Sequence, residues 1–294
     1  MSVSPQPEVF IALWRRLGEL PGAWLRWWEG AVPVARYAPL RVGLGLVFLA
    51  EFLTLYPVAH LQFDDRGLSA QSIGSAWGHV RYPLLDHITG AQVDGVITLG
   101  AAASVLLAAG VYPRVAGAVA FVLEVLLLHR SNYWQDGSDC LVRCLVFFVC
   151  FARLSGPGQT GIWPLRLVRL QVAVVYLATA IWKLQGRDWA NGTALYWVLQ
   201  DPKYQRVSLD WLLSRPLGQG MATAGTWATV LLEFALPVLL LDPRRRRWGL
   251  LLGTALHLGI WATMRIGLFS PLMLVSYLAF VERDAAGRWR VSTD

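Results

Sequence analysis

Eight apolar stretches, separated by short polar or aromatic-rich segments, run along the chain near 37–56, 93–111, 114–131, 138–153, 165–184, 224–241, 247–264 and 266–281. Most approach the roughly 20 residues that a helix rising about 1.5 Å per residue needs to cross about 30 Å of hydrocarbon. The pattern predicts an all-α polytopic membrane bundle of about eight, at most nine, transmembrane helices. The 138–153 stretch is short and interrupted by Arg143, which predicts a tilted helix or an earlier start. The last two stretches are almost contiguous, so their turn falls around Met264 to Gly267. Two connections, 57–92 and 185–223, are long and rich in Trp, Tyr, Asp and Gly, with short interfacial helices expected near 193–200 and 206–214.

Ahead of the first span, Val9, Phe10, Leu13, Trp14, Leu17 and Leu20 alternate with Arg15, Arg16 and Glu19, and Pro21-Gly22 breaks the run. This amphipathic pattern predicts a segment lying on the membrane rather than a cleaved leader. The expected organisation is therefore an interfacial segment at 1–35, a transmembrane domain at 36–282 and a cytoplasmic tail at 283–294, with no second domain and no internal repeat.

Composition sharpens the class. The chain of 294 residues is 55% hydrophobic and only 15% charged, where soluble domains carry about 25% charged residues. Fifteen tryptophans suit the bilayer interface, where indole rings collect. The net charge of +7 calls for no nucleic-acid partner, because arginines concentrated on the cytoplasmic side account for it. The run Arg244-Arg245-Arg246-Arg247 between the sixth and seventh spans is the strongest anchor, and it places both termini inside and the two long connections outside. The expected location is the bacterial inner membrane with the functional face turned outward. Cys140, Cys144 and Cys150 share one apolar segment and show neither a zinc pattern nor a disulfide framework, so no metal is expected.

Of the 26 basic residues only Lys183 and Lys203 are lysines. Lysine can give up its proton where arginine cannot, so a lysine at the end of an apolar span is a candidate base. Apolar surroundings and the neighbouring Trp182 disfavour its charged form, while Asp188 acts in the opposite direction. Tyr176, seven residues earlier, shares its helix face. The seventh span carries His257 near its midpoint, with Trp261 one turn further out and Arg265 at the outer end. A histidine there serves either as a hydrogen-bonded structural group or as a catalytic one. Glu51, Glu124 and Glu233 are intramembrane acids expected to pair with His257 or with an arginine. Near the outer end of the third span, Arg130, Asn132, Tyr133, Trp134 and Asp139 form a dense polar stretch that suggests a cavity wall, with Asp139 and Arg143 spaced to pair along one helix.

These residues carry a resemblance. Val175-Tyr176-Leu177-Ala178-Thr179-Ala180-Ile181-Trp182-Lys183-Leu184, followed by Asp188-Trp189 and Asn191-Gly192, resembles a motif of the vitamin K-dependent γ-glutamyl carboxylases and of the broader bacterial horizontally transferred transmembrane (HTTM) proteins. Arg130 to Trp134 through Asp139, and Leu256-His257-Leu258 with Ile266-Gly267-Leu268-Phe269-Ser270, resemble two further blocks in the same order. The resemblance implies that Lys183 deprotonates a vitamin K-type hydroquinone, whose reaction with O2 yields an epoxide and a stronger base. That base takes a γ-proton from a peptide glutamate, and CO2 traps the carbanion. It implies a quinol and substrate cavity built from Arg130, Asn132, Tyr133, Trp134, Asp139, Tyr176, Trp182, Asp188, Trp189, Trp261, Arg265 and Phe269, with Lys183 and His257 as catalytic groups. The implied partners are the lipid bilayer, an isoprenoid quinol (phylloquinone or menaquinone type) and a peptide or protein substrate.

The chain departs from the animal enzymes in three ways. Trp182 stands where they have a second lysine, and Asn132 where they have a histidine. Their large extramembrane domain has no counterpart among these residues, which assigns substrate selection to the outer loops or to a partner. A maturation factor for a secreted peptide or a quinone-linked redox partner is the alternative. A transporter is disfavoured by the absence of a repeat.

Overall fold

The computed structural model describes residues 22, 24–25, 27–68, 88–130, 137–284 and 286–294, without the side chains of 128–130. Each of the eight predicted apolar stretches coincides with a helix. These are α1 (Ala38–Leu55), α2 (Gly90–Ala109), α3 (Pro113–Arg130), α4 (Gly137–Cys150), α5 (Trp163–Gln185), α6 (Pro216–Leu241), α7 (Arg246–Thr263) and α8 (Phe269–Ser276). Among the described residues, four helical stretches are long and apolar enough to cross a membrane: Val34–Phe63, Gly90–Ala109, Trp163–Gln185 and Pro216–Leu241.

Local chemistry sets the boundaries. Pro sits in the first turn of α1, α5 and α6, where its missing N–H costs nothing. Thr89 and Gln92 form a capping box at the start of α2, which ends on Gly110 in the left-handed conformation (φ 79°). The 138–153 stretch proves shorter than predicted at its far end, with α4 stopping at Cys150.

The eighth stretch differs most from its expected form. α8 has eight residues, continued by four in 3-10 conformation from Tyr277 to Phe280. At about 1.5 Å per residue such a segment falls well short of a bilayer's hydrocarbon thickness. It packs instead against α1, α4, α5 and α7, and Ser270, Leu272, Met273 and Ser276 are fully buried. α4 packs against α5 and so joins α1 to α3 with α5 to α7, and α8 packs across that junction.

At one end, β1 (Ala31–Pro33) pairs antiparallel with β2 (Gln159–Gly161). β3 (Val281–Arg283) pairs with β4 (Trp289–Val291) at the same end. Arg36, Arg169 and Arg246 converge there on Asp294. Trp24 stacks on Trp27, Trp28 meets both rings edge-on, and Arg166 lies 5.0 Å from the centre of the Trp27 ring. Most of the predicted interfacial segment, 1–21 with 23 and 26, lies outside the described residues. The opposite end carries the 186–215 connection. It includes single turns at Ala194–Val198 and Asp210–Leu213, close to the short helices expected there. Arg206 and Arg265 main-chain N–H groups tie this connection to the turn after α7.

Candidate functional site

Lys183 occupies the last turn of α5, and its ammonium nitrogen makes an ion pair with Glu233 of α6. The lysine side chain is 21% exposed and the glutamate 7%, so a long flexible stem delivers charge from the helix end to an acid inside the bundle. The same Nζ lies 4.7 Å from the centre of the Trp189 ring. Asp188 does not take the lysine; its carboxylate accepts from Thr193 Oγ1 at 3.3 Å. Sequence reasoning expected His257 or an arginine as the partner of Glu233, and this is corrected. α5 and α6 pack along their length, and the lysine stem reaches the gap between them. Among the described residues Glu233 Oε2 is buried without a hydrogen-bond partner. Chemically, such a pair shares one proton between an amine and a carboxylate.

Two turns deeper on the same face of α5, Tyr176 bridges His257 of α7 and Tyr277 beyond α8. Its hydroxyl lies 2.7 Å from His257 Nε2 and in a short hydrogen bond with Tyr277 Oη. All three residues are buried. Gly253, one turn before His257, makes room for the Tyr277 hydroxyl: a Cβ there would collide with it. Tyr277 was not singled out in the sequence, where it reads as one more aromatic in an apolar run.

A cavity of about 930 Å³ opens beside these helices, within the ~300–1,000 Å³ typical of small-molecule sites. Thr179, one turn from Lys183, contributes to its wall, and so do Phe52 and Phe269. Its three acids, Glu51, Glu124 and Asp139, bring carboxylate oxygens within 4.8 Å of one another. Hard oxygen donors so arranged share protons or coordinate a hard cation. Lys203 and Arg265 line the same cavity and supply positive charge. This convergence was not legible in the sequence, since the acids come from α1, α3 and α4. Arg143 Nε donates to the main-chain oxygen of Asp139 at 2.9 Å, so the expected contact is made to the backbone while the Asp139 carboxyl faces the other acids.

Of the predicted site residues, the structure groups Tyr176 with His257, Lys183 with Trp189, and Asp139 with Arg265 and Phe269. His257 packs against the Phe269 ring with centroids 5.9 Å apart, which joins the buried chain to the cavity wall. Trp182 is set apart from the site at 72% exposure. Consecutive helix residues point about 100° apart, so Lys183 and Trp182 do not share a face. Trp261 is also exposed and carries the Arg206 guanidinium 5.5 Å from its ring centre. Asn132, Tyr133 and Trp134, and the side chain of Arg130, lie outside the described residues.

Comparison with known proteins bears on this half of the chain. Residues 144–285 match the profile of the HTTM domain, a span that includes Lys183, Glu233, His257 and Tyr277. The chain is 26% identical over 177 residues to the sporulation-delaying protein SdpB of Bacillus subtilis (strain 168), covering 57% of this chain and 50% of that protein. It is 24% identical over 202 residues to the uncharacterized protein YitO of the same organism, covering 60% of this chain and 64% of that one. The chain thus spans less than two thirds of either relative. No solved structure matches it.

Proposed function

On a chain that carries an HTTM domain over residues 144–285, we propose a membrane enzyme of the vitamin K-dependent carboxylase type, in which Lys183 removes a proton from a quinol hydroxyl. The observation that supports this most directly is the Lys183–Glu233 pair. An amine and a carboxylate sharing one proton form a base whose acceptor changes without moving heavy atoms. Glu233 holds Lys183 in place and accepts the proton when the amine acts. Trp189 lies against the Lys183 ammonium and shields one side of it.

The residues present fit a quinol. The cavity has aromatic walls in Phe52 and Phe269 and lies beside the helix that bears the base. A vitamin K-type hydroquinone held there would supply the oxidative chemistry, its oxygenation by O2 to the epoxide and water furnishing the basicity that carboxylation of a glutamate by CO2 requires. Arg265 and Lys203, on the cavity wall, are placed to receive the substrate carboxylate.

The deciding measurement is epoxide formation by the purified protein in bilayer discs, supplied with vitamin K hydroquinone, O2 and glutamate-containing peptides. The wild-type protein forms epoxide, and Lys183→Ala lowers the rate by about 100-fold or more, the usual contribution of a general base. Absence of epoxide in the wild type, with or without peptide, defeats the quinol reading. Full activity in Lys183→Arg defeats the role of Lys183 as base.

A further inference from the structure

Tyr277, Tyr176 and His257 make two hydrogen bonds between three groups, and a count of their protons decides the direction of both. Each phenol has one proton to give, and a neutral imidazole carries one N–H. Suppose Tyr277 donates to Tyr176 and Tyr176 donates to His257 Nε2. Both phenol protons are then used, and the imidazole proton sits on Nδ1. In the reverse direction Nε2–H donates to Tyr176 and Tyr176 to Tyr277, which leaves the buried Tyr277 proton without an acceptor and Nδ1 without a donor. If both neighbours donate to Tyr176, its own proton has no acceptor. The first arrangement leaves the fewest groups unpaired, and an unpaired buried donor costs roughly 1–3 kcal/mol.

That arrangement ends in one open donor. His257 is 2% exposed, and its Nδ1 has no hydrogen-bond partner among the described residues. The resemblance implied Tyr176 as a cavity residue, and the sequence read His257 as a catalytic or a structural group. The hydrogen-bond chain assigns them different roles.

We propose that Tyr277 and Tyr176 fix His257 as the Nδ1–H tautomer, so that this nitrogen donates a hydrogen bond to an oxygen of the bound ligand, a quinone carbonyl or a quinol oxygen. The choice of ligand rests on the quinol reading above, whereas the tautomer does not. Phe269, which lines the cavity, lies against the His257 ring. A neutral imidazole donor stabilises negative charge developing on that oxygen while Lys183 takes the proton elsewhere. His257 is then an electrophilic group, and Tyr176 and Tyr277 are positioning residues.

The test is 15N NMR of protein labelled at its five histidines and held in bilayer discs, with the His257 signal identified by its loss in His257→Asn. The expected spectrum at neutral pH has Nδ1 protonated and Nε2 unprotonated. Tyr176→Phe removes that preference, and menadione at saturation shifts Nδ1. In menadione titrations, His257→Asn, whose amide N–H reaches the Nδ1 position, keeps binding near the wild-type level. His257→Gln, whose amide reaches the Nε2 position, weakens it about tenfold. A protonated Nε2, or a tautomer unchanged in Tyr176→Phe, overturns the assignment. Epoxide formation without any Nδ1 shift overturns the ligand contact and leaves the quinol reading standing. An Nδ1–H tautomer in a protein that forms no epoxide defeats the quinol reading and leaves the tautomer in place.

Discussion

Lys183 and Glu233 face each other from α5 and α6, and either charge alone is a liability in an apolar bundle. Glu233→Leu therefore destabilises the protein by about 3 kcal/mol, near the lower end of the range for breaking a buried pair because Lys183 keeps some exposure. Replacing both, as Lys183→Met with Glu233→Leu, restores most of that loss. Denaturation of the three proteins in mild detergent measures the difference, and a double variant no more stable than the single one would show that the pair does not hold the helices together. At this scale the sequence was informative about donors and poor at pairing. The scarcity of lysine marked Lys183, and mid-span placement marked His257, Glu51, Glu124 and Glu233. Helical periodicity put Tyr176 on the lysine's face. None of this says which residue of another helix stands opposite.

Element boundaries followed from turn chemistry and apolar run length, which act over a few residues and are read directly from the chain. α8 shows where run length misleads: an apolar stretch also results when a short helix is surrounded by protein instead of lipid. The closeness of α1 and α2 is a second such case. A Cβ at Gly45 would lie 2.7–2.9 Å from Ala108 main-chain and side-chain atoms, and neighbouring helix backbones cannot easily retreat. Small residues at such crossings are how membrane helices approach. Gly45→Ala accordingly costs about 1–3 kcal/mol as an overpacked contact. Gly95→Ala, where a Cβ meets nothing within 4 Å, serves as the control in the same thermal assay. Equal stability of the two variants would refute the close-packing account.

Across the whole molecule, the end bearing β3 and β4 is closed by Asp294, whose side-chain carboxylate accepts two hydrogen bonds from Arg36, of 2.7 and 2.8 Å, and one of 3.0 Å from Arg169. Burial alone would raise the Asp294 carboxyl, but Arg36, Arg169 and Ser292 hold it well below the usual carboxylate range. A depressed value contributes stability that is fully present above the unfolded value of about 3.9 and is lost only as pH falls through the folded one. Docking of Val281–Val291 is therefore expected to be constant from about pH 5 to 8. Asp294→Asn increases amide hydrogen exchange in that hairpin at pH 7, and unchanged exchange would remove the clasp role. Sidedness is tested separately. Cysteines placed at Gln200 and Arg245 lie on opposite ends of the bundle, and an impermeant thiol reagent added outside labels only position 200 if the arginine run faces the cytoplasm. The sequence by itself determined the class, the apolar stretches that become helices and the residue types capable of proton chemistry, because hydropathy, turn propensity and titratable character belong to single residues or short segments. Only the tertiary structure decided that Lys183 meets Glu233, that Tyr277 completes a chain to His257, and that acids from α1, α3 and α4 share one cavity. Those pairings join positions 15 to 101 residues apart on different elements, and close packing of specific helix faces creates them.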